Sequence, residues 1–146
     1  MRVVVWNVNG WDATRGYICS KYGSVGKFFE EVLRADVVCL QEVKMAHNKL
    51  DPSLHIDGWE SFWAISGGDG QARTGYSGCT TFIRLDLAPS SATNELVTTS
   101  FPEREGRYIE IITGDLAIIN IYVPNGGEPA KGATTTRTTM TLARMV

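Results

Sequence analysis

Three short stretches put polar groups directly after apolar runs: "VVVWNVNG" at residues 3–10, "VVCLQEVK" at 37–44 and "INIYVPNGG" at 119–127. The residue types in them that can do chemistry are Asn7 and Asn9, then Glu42, then Tyr122 and Asn125. If the three strands are neighbours, a carboxylate, several amides and a phenol meet on one rim. A glutamate is a hard oxygen ligand of the kind that holds Mg²⁺, which takes one or two carboxylates with water and a phosphate. Asparagines and a tyrosine can hydrogen-bond phosphate oxygens without adding repulsive charge. In outline this is a phosphodiester site. A plainer reading stays open for each stretch, because a strand that reaches the surface also ends in solvated residues. The carboxyl end of a strand in an open α/β sheet is, however, where binding groups tend to be displayed.

Positioning those groups requires strands that end where the polar residues begin. "RVVVW" at 2–6 is a β-branched run stopped by "NVNG", so the first strand ends near Asn7. In "SVGKFFEEVLRA" at 24–35, Phe28, Phe29, Val32 and Leu33 recur at helical spacing, with Ser24 as N-cap. Residues 2–41 therefore read as strand, long loop, helix, strand, the pattern of a parallel crossover unit. Trp59–Ala64 and "CTTFIR" at 79–84 read as further strands, separated by "SGGDGQARTGYSG", a loop with five glycines in thirteen residues. "RYIEIIT", "GD" and "LAIINIY" spell a hairpin in which Gly114 takes the positive φ of a tight turn. "TTTRTTMTLARMV" at 134–146 begins a possible helix and stops.

Composition bounds the rest. A chain of 146 residues, 43% hydrophobic and 21% charged, is long enough for one domain with a real core and is not of disordered type. A formal net charge of -2 excludes a surface that is basic throughout, leaving room only for a local basic site. No segment has the apolar length of a membrane span, and Met1 runs straight into "RVVVWN" without a secretory leader, so an intracellular protein is expected. Cys19, Cys39 and Cys79 are widely spaced, which suits a reducing compartment, and Cys39 and Cys79 read as packing residues. His47 and His55 are not at the spacing of a metal pair and read as surface residues.

"WNVNG" at 6–10, "LQEVK" at 40–44, "GYSG" at 75–78, "EGRYI" at 105–109 and "IYVPNGG" at 121–127 resemble, in order, the signatures of the exonuclease III-like apurinic/apyrimidinic endonucleases of the endonuclease/exonuclease/phosphatase superfamily. The resemblance implies an α/β fold of the DNase I-like type, a four-layered αββα sandwich, of which residues 1–146 form the amino-terminal half of a single domain. It implies Mg²⁺-dependent hydrolysis, with Mn²⁺ as a possible substitute, of double-stranded DNA at abasic sites. Companion 3′–5′ exonuclease or 3′-phosphodiesterase activity lies within the same family. By the resemblance Glu42 is the metal-binding glutamate, Asn9 lies near the metal, Asn7 orients the catalytic groups, and Tyr122 and Asn125 hold the target phosphate. Gly75, Tyr76 and Gly78 match a DNA-contacting loop, and Arg107 and Asn125 match further DNA contacts. Tyr76 and Arg107 are accordingly expected on the surface. Lys44 reads as a solvated lysine. A eukaryotic relative would work in the nucleus, a bacterial one in the cytoplasm.

The departures matter as well. Where the family commonly has an arginine after "NG", Trp11 and Asp12 follow, and Glu128 after "PNGG" has the same unhelpful sign. Phosphate contacts supply most non-specific affinity, so these acids argue for an altered footprint. Two alternatives follow: a catalytically silent nucleic-acid-binding remnant, and a superfamily phosphatase acting on small esters. The later Asp–Asn and Asp–His pairs that the resemblance calls for have no counterpart, since no aspartate follows Asp115 and no histidine follows His55. The expectation is half of the catalytic machine, and one sheet of a sandwich whose apolar face awaits the other.

Overall fold

A computed structural model of the chain describes residues 1–67, 75–95 and 105–123. Asn125, Glu128 and the possible helix at 134–146 lie outside the described residues. The strand and helix order is β1 (Val3–Asn7), α1 (Trp11–Tyr22), α2 (Val25–Lys27, continuing into a π turn over Phe28–Leu33), β2 (Val37–Gln41), β3 (Trp59–Ala64), β4 (Cys79–Arg84), β5 (Pro89–Thr93), β6 (Tyr108–Thr113) and β7 (Leu116–Ile121). The first sheet has the order β1-β2-β4-β3, with β1 and β2 parallel and the other pairs antiparallel. The second is the antiparallel β5-β6-β7.

β2 is buried along its whole length because its alternate side chains serve two different cores. Val38 and Leu40 join Phe82, Trp11, Ile18, Phe28 and Phe29 under the helices. Val37 and Cys39 face the other way and pack with Ile83, Ile109, Ile111 and Ile118 between the sheets. Chemically, the layers are helices, sheet, sheet. Burial pushes the Cys39 and Cys79 thiols up to about 11 and about 12, so both remain protonated packing groups.

This arrangement corrects the expectation of one uncovered sheet: the chain contributes strands to both, and the second covers much of the first. β7 lies against β2 and β4, and β6 against β4 and β3. Beside β2, on the same face, Val3 and Val5 of β1 stay 43% and 68% exposed. An apolar strip along β1 thus stays uncovered by the described residues.

Two elements differ from the sequence reading. The long loop after β1 is largely α1, whose stripe of Trp11, Ile18, Cys19 and Tyr22 meets the core while polar Thr14 and Arg15 and the side-chainless Gly16 interrupt the pattern in sequence. Gly23, at φ 87°, ends it and donates its N–H to Cys19 O. Ser24 does cap α2, accepting from the Lys27 N–H at 3.1 Å. The π turn then widens the spiral, so Val32 leaves the buried stripe and is 47% exposed. β5 is a strand that the sequence does not announce, since "PSSAT" offers no apolar alternation. Gly114, at φ 53°, makes the β6–β7 turn as expected.

Candidate active site

The parallel pairing of β1 with β2 sets Asn7 opposite Gln41 and brings both chains to the same rim. Beyond the strands the pairing continues through backbone bonds. Val8 N–H donates to Gln41 O, Gly10 N–H to Glu42 O and Trp11 N–H to Val43 O, at 2.8–3.0 Å. On the other side Val43 N–H donates to Gly78 O and Lys44 N–H to Ser77 O, at 3.0 and 2.9 Å. Three segments are thereby clamped together. Asn9, Glu42 and Lys44 have φ of 49°, 53° and 50°, in the left-handed region that costs a non-glycine residue about 1 kcal/mol or more. Such strain persists where surrounding bonds over-determine the backbone, and here they aim three side chains at one point.

At that point Asn7 Nδ2 donates to Glu42 Oε1 at 2.8 Å, and Asn7 Oδ1 accepts the Asn9 N–H at 3.1 Å. The Tyr122 hydroxyl lies near enough to the same carboxylate to help hold it as the anion. The Asn7 bond, aided by Tyr122 and Lys44, holds the Glu42 carboxyl below its usual range, so it is an anion at neutral pH. Tyr122 is held above its usual value by burial and by the Glu42 charge, and stays a neutral donor. The Lys44 ammonium is 3.2 Å from Glu42 Oε2 and hydrogen-bonds Asn9 Oδ1. Asn7, Asn9, Glu42 and Tyr122 are therefore brought together, and Lys44, expected to be solvated, joins them.

Arg107 is not on the surface. It is 6% exposed, its guanidinium paired with Glu105 and set 4.8 Å from the Tyr122 ring and 5.9 Å from the Tyr76 ring. The resemblance to a DNA-contacting segment placed it outward; it directly precedes β6 and turns under the rim instead. Its Nη1 is buried without a hydrogen-bond partner among the described residues. Tyr76 is 56% exposed, as expected. Gly78, at φ 106°, sits where a Cβ would meet Val43 Cγ2 at 2.8 Å. What its missing side chain admits in this structure is the protein's own Glu42-bearing loop. Asp12, the departure with the wrong sign, is tied to Lys49 Nζ at 2.6 Å.

One residue escaped the sequence reading. Asn120 on β7 is 2% exposed, and its Nδ2 donates to Leu40 O, Thr80 O and Thr81 Oγ1 while its Oδ1 accepts from Gln41 Nε2 at 2.7 Å. It bolts the second sheet to the end of β2, one residue before Glu42. The available signal was an asparagine in inward register with Ile118.

Among the described residues no three His, Cys, Asp or Glu side chains cluster as a metal cage. The donor set nonetheless suits a hard cation of the Mg²⁺ type: one anionic carboxylate and one amide oxygen converge on a common point, and an ammonium already lies against both.

The profile of the Endonuclease/Exonuclease/phosphatase family matches residues 4–137. The chain belongs to that family. It is 37% identical over 93 residues to the DNA-(apurinic or apyrimidinic site) endonuclease 2 of Xenopus laevis, an alignment covering 63% of this chain and 16% of that protein. Among solved structures, the APE2 catalytic domain of Xenopus laevis superposes with a TM-score of 0.58 and 27% identity, over 86% of this chain and 46% of that one. The AP endonuclease LMAP of Leishmania major gives 0.60 and 26%, over 86% and 40%. The chain thus spans less than half the length of these relatives. Its helix, sheet, sheet layering is part of the DNase I-like sandwich they share.

Proposed function

We propose that residues 1–146 form the amino-terminal part of a Mg²⁺-dependent DNA-repair hydrolase that cuts the phosphodiester backbone at abasic sites in double-stranded DNA. The observation that carries this reading is the Glu42 carboxylate held by the Asn7 amide at 2.8 Å, with Asn9 tied to the same asparagine and Tyr122 beside it. The names of the relatives in Xenopus laevis and Leishmania major support the substrate. The pinned Gly75–Gly78 and Glu105–Arg107 segments beside the rim favour DNA over a small phosphate ester. Asp12, which argued for a silent binding remnant, is neutralised by Lys49.

Glu42 and Asn9 would hold the Mg²⁺, which when bound supplies positive charge to the scissile phosphate. Asn7 fixes the Glu42 carboxylate in one rotamer and, through its Oδ1, fixes the Asn9 backbone. Tyr122, neutral and steadied by the Arg107 guanidinium under its ring, can turn its hydroxyl to a phosphate oxygen. Tyr76, exposed at the lip, offers a ring face to a sugar or base. Asn125, just past Tyr122 in sequence, is assigned to the same phosphate.

The test is cleavage of a duplex carrying one tetrahydrofuran abasic analogue, by the chain supplied with the carboxyl-terminal half of a relative's domain, with and without Mg²⁺. Metal-dependent incision that requires Glu42 is expected. Equal incision by the Glu42→Gln variant at every Mg²⁺ concentration would remove the assignment. A 3′-recessed duplex in parallel reads the exonuclease and 3′-phosphodiesterase activities.

A further inference from the structure

Lys44 has no part in the assignments above, yet its ammonium lies against two of their oxygens. It touches Glu42 Oε2 at 3.2 Å and Asn9 Oδ1, the two oxygens assigned to the metal. Its backbone is held by the N–H bond to Ser77 O, at φ 50°, so the main chain cannot carry the ammonium away. Its side chain, by contrast, is 37% exposed against 20% for Glu42, and ends on a flexible four-carbon stem. The charge is therefore fixed in reach and free in position. A lysine ammonium is a compact point cation whose acceptors here are the hard oxygens a divalent ion would take. Both cannot occupy the space between the same two oxygens.

We propose that Lys44 is a tethered competitor for the metal: its ammonium bridges Glu42 and Asn9 in the metal-free protein and swings toward solvent when a divalent cation enters. This rests on the metal reading of Glu42 and Asn9. The tether keeps the carboxylate neutralised and correctly aimed before metal arrives, at a cost in metal affinity. Once displaced, the ammonium stands at the rim on the side from which a phosphate would approach. By linkage, whatever the ammonium takes from metal affinity the metal takes from the ammonium contact.

The experiment measures Mn²⁺ binding to the 146-residue chain by loss of the free-ion electron paramagnetic resonance signal, with Mg²⁺ as competitor, a readout that holds for monomer and oligomer alike. Lys44→Gln should tighten Mn²⁺ binding about tenfold, within the range usual for coupled sites. Lys44→Arg, which keeps the charge and the reach, should leave it within about twofold of wild type. In parallel, the ¹³C-methyl signal of reductively methylated Lys44 should move toward that of a free lysine as Mg²⁺ is added. If Glu42→Gln weakens Mn²⁺ binding while Lys44→Gln fails to strengthen it, the competitor role is overturned and the metal site stands. If Mn²⁺ binding is indifferent to Glu42→Gln, the metal reading fails and the inference fails with it.

Discussion

Glu42 is an anion because of what surrounds it, and that makes its contribution to stability depend on pH. Its folded pKa is depressed, chiefly by the Asn7 hydrogen bond. A depressed carboxyl stabilises the fold above its unfolded pKa and loses that contribution as pH falls through the lower folded value. Asn7→Ala should therefore cost about 1–2 kcal/mol at pH 7, the range of a hydrogen bond to a partly exposed charge. Thermal melts of both proteins should converge as pH falls below the carboxylate range; a constant gap would show that Asn7 acts by packing alone. Arg107 gives a second contrast. Arg107→Ala removes a buried guanidinium that pairs with Glu105 and packs on two tyrosines, and should lower the melting temperature by several degrees. Tyr76→Ala, at an exposed ring, should leave it within about 1 kcal/mol and weaken duplex binding once the complementing half is present. That Asn7, Asn9, Glu42 and Tyr122 come together was legible because each follows an apolar run that reads as a strand; their roles came from the resemblance alone. The sequence hid the burial of Arg107, which depends on the turn at Gly106 bringing residue 107 under a rim built by distant segments.

At the scale of elements, the site is held by the end of β2, and β2 is held by β7. Asn120 joins β7 to the end of β2 with two buried hydrogen bonds, to Gln41 and Leu40, and to β4 with two more, to Thr80 and Thr81. Asn120→Ala would strand the Gln41 amide and leave the Leu40 and Thr80 side of the bond set short of a donor, at about 1–3 kcal/mol. Because Gln41 adjoins Glu42, the variant should also weaken Mn²⁺ binding, whereas a core truncation such as Ile118→Val should cost stability without touching the metal. Equal metal affinity in both variants would reduce Asn120 to a packing residue. The β-strands were readable from period and turn chemistry, as the Gly114 hairpin illustrates. Helix α1 was not, because only one face of it meets the core and polar residues fill the intervening turn. β5 was not, because an edge strand of Pro, Ser, Ala and Thr gains its pairing from β6 and has no apolar pattern of its own.

At the scale of the molecule, the two sheets found here change the reason for expecting association without removing it. A sandwich closed on both sides would bury every strand face, yet Val3 and Val5 form an apolar strip on β1 that no described residue covers. On the second sheet β7 carries Leu116 and Ile119 at 50% and 49% exposure and pairs only with β6 among the described residues. An unpaired strand edge next to an apolar strip is a template for another strand. The solved relatives from Xenopus laevis and Leishmania major are matched over less than half of their chains, which leaves a remainder that could pair with β7 and cover β1. The same remainder would bring the general base, which needs a proton acceptor within hydrogen-bond reach of the attacking water and is worth about 10² to 10⁴ in rate. Supplied alone, the 146-residue chain should thus fail to incise an abasic duplex at any Mg²⁺ concentration and should elute from size exclusion as an oligomer or aggregate. Val5→Lys, which places a charge in the strip and leaves the rim intact, should shift it toward monomer without conferring activity. A wild-type chain that runs as a single monomer and cuts the abasic duplex would overturn both the association and the incompleteness of the catalytic apparatus.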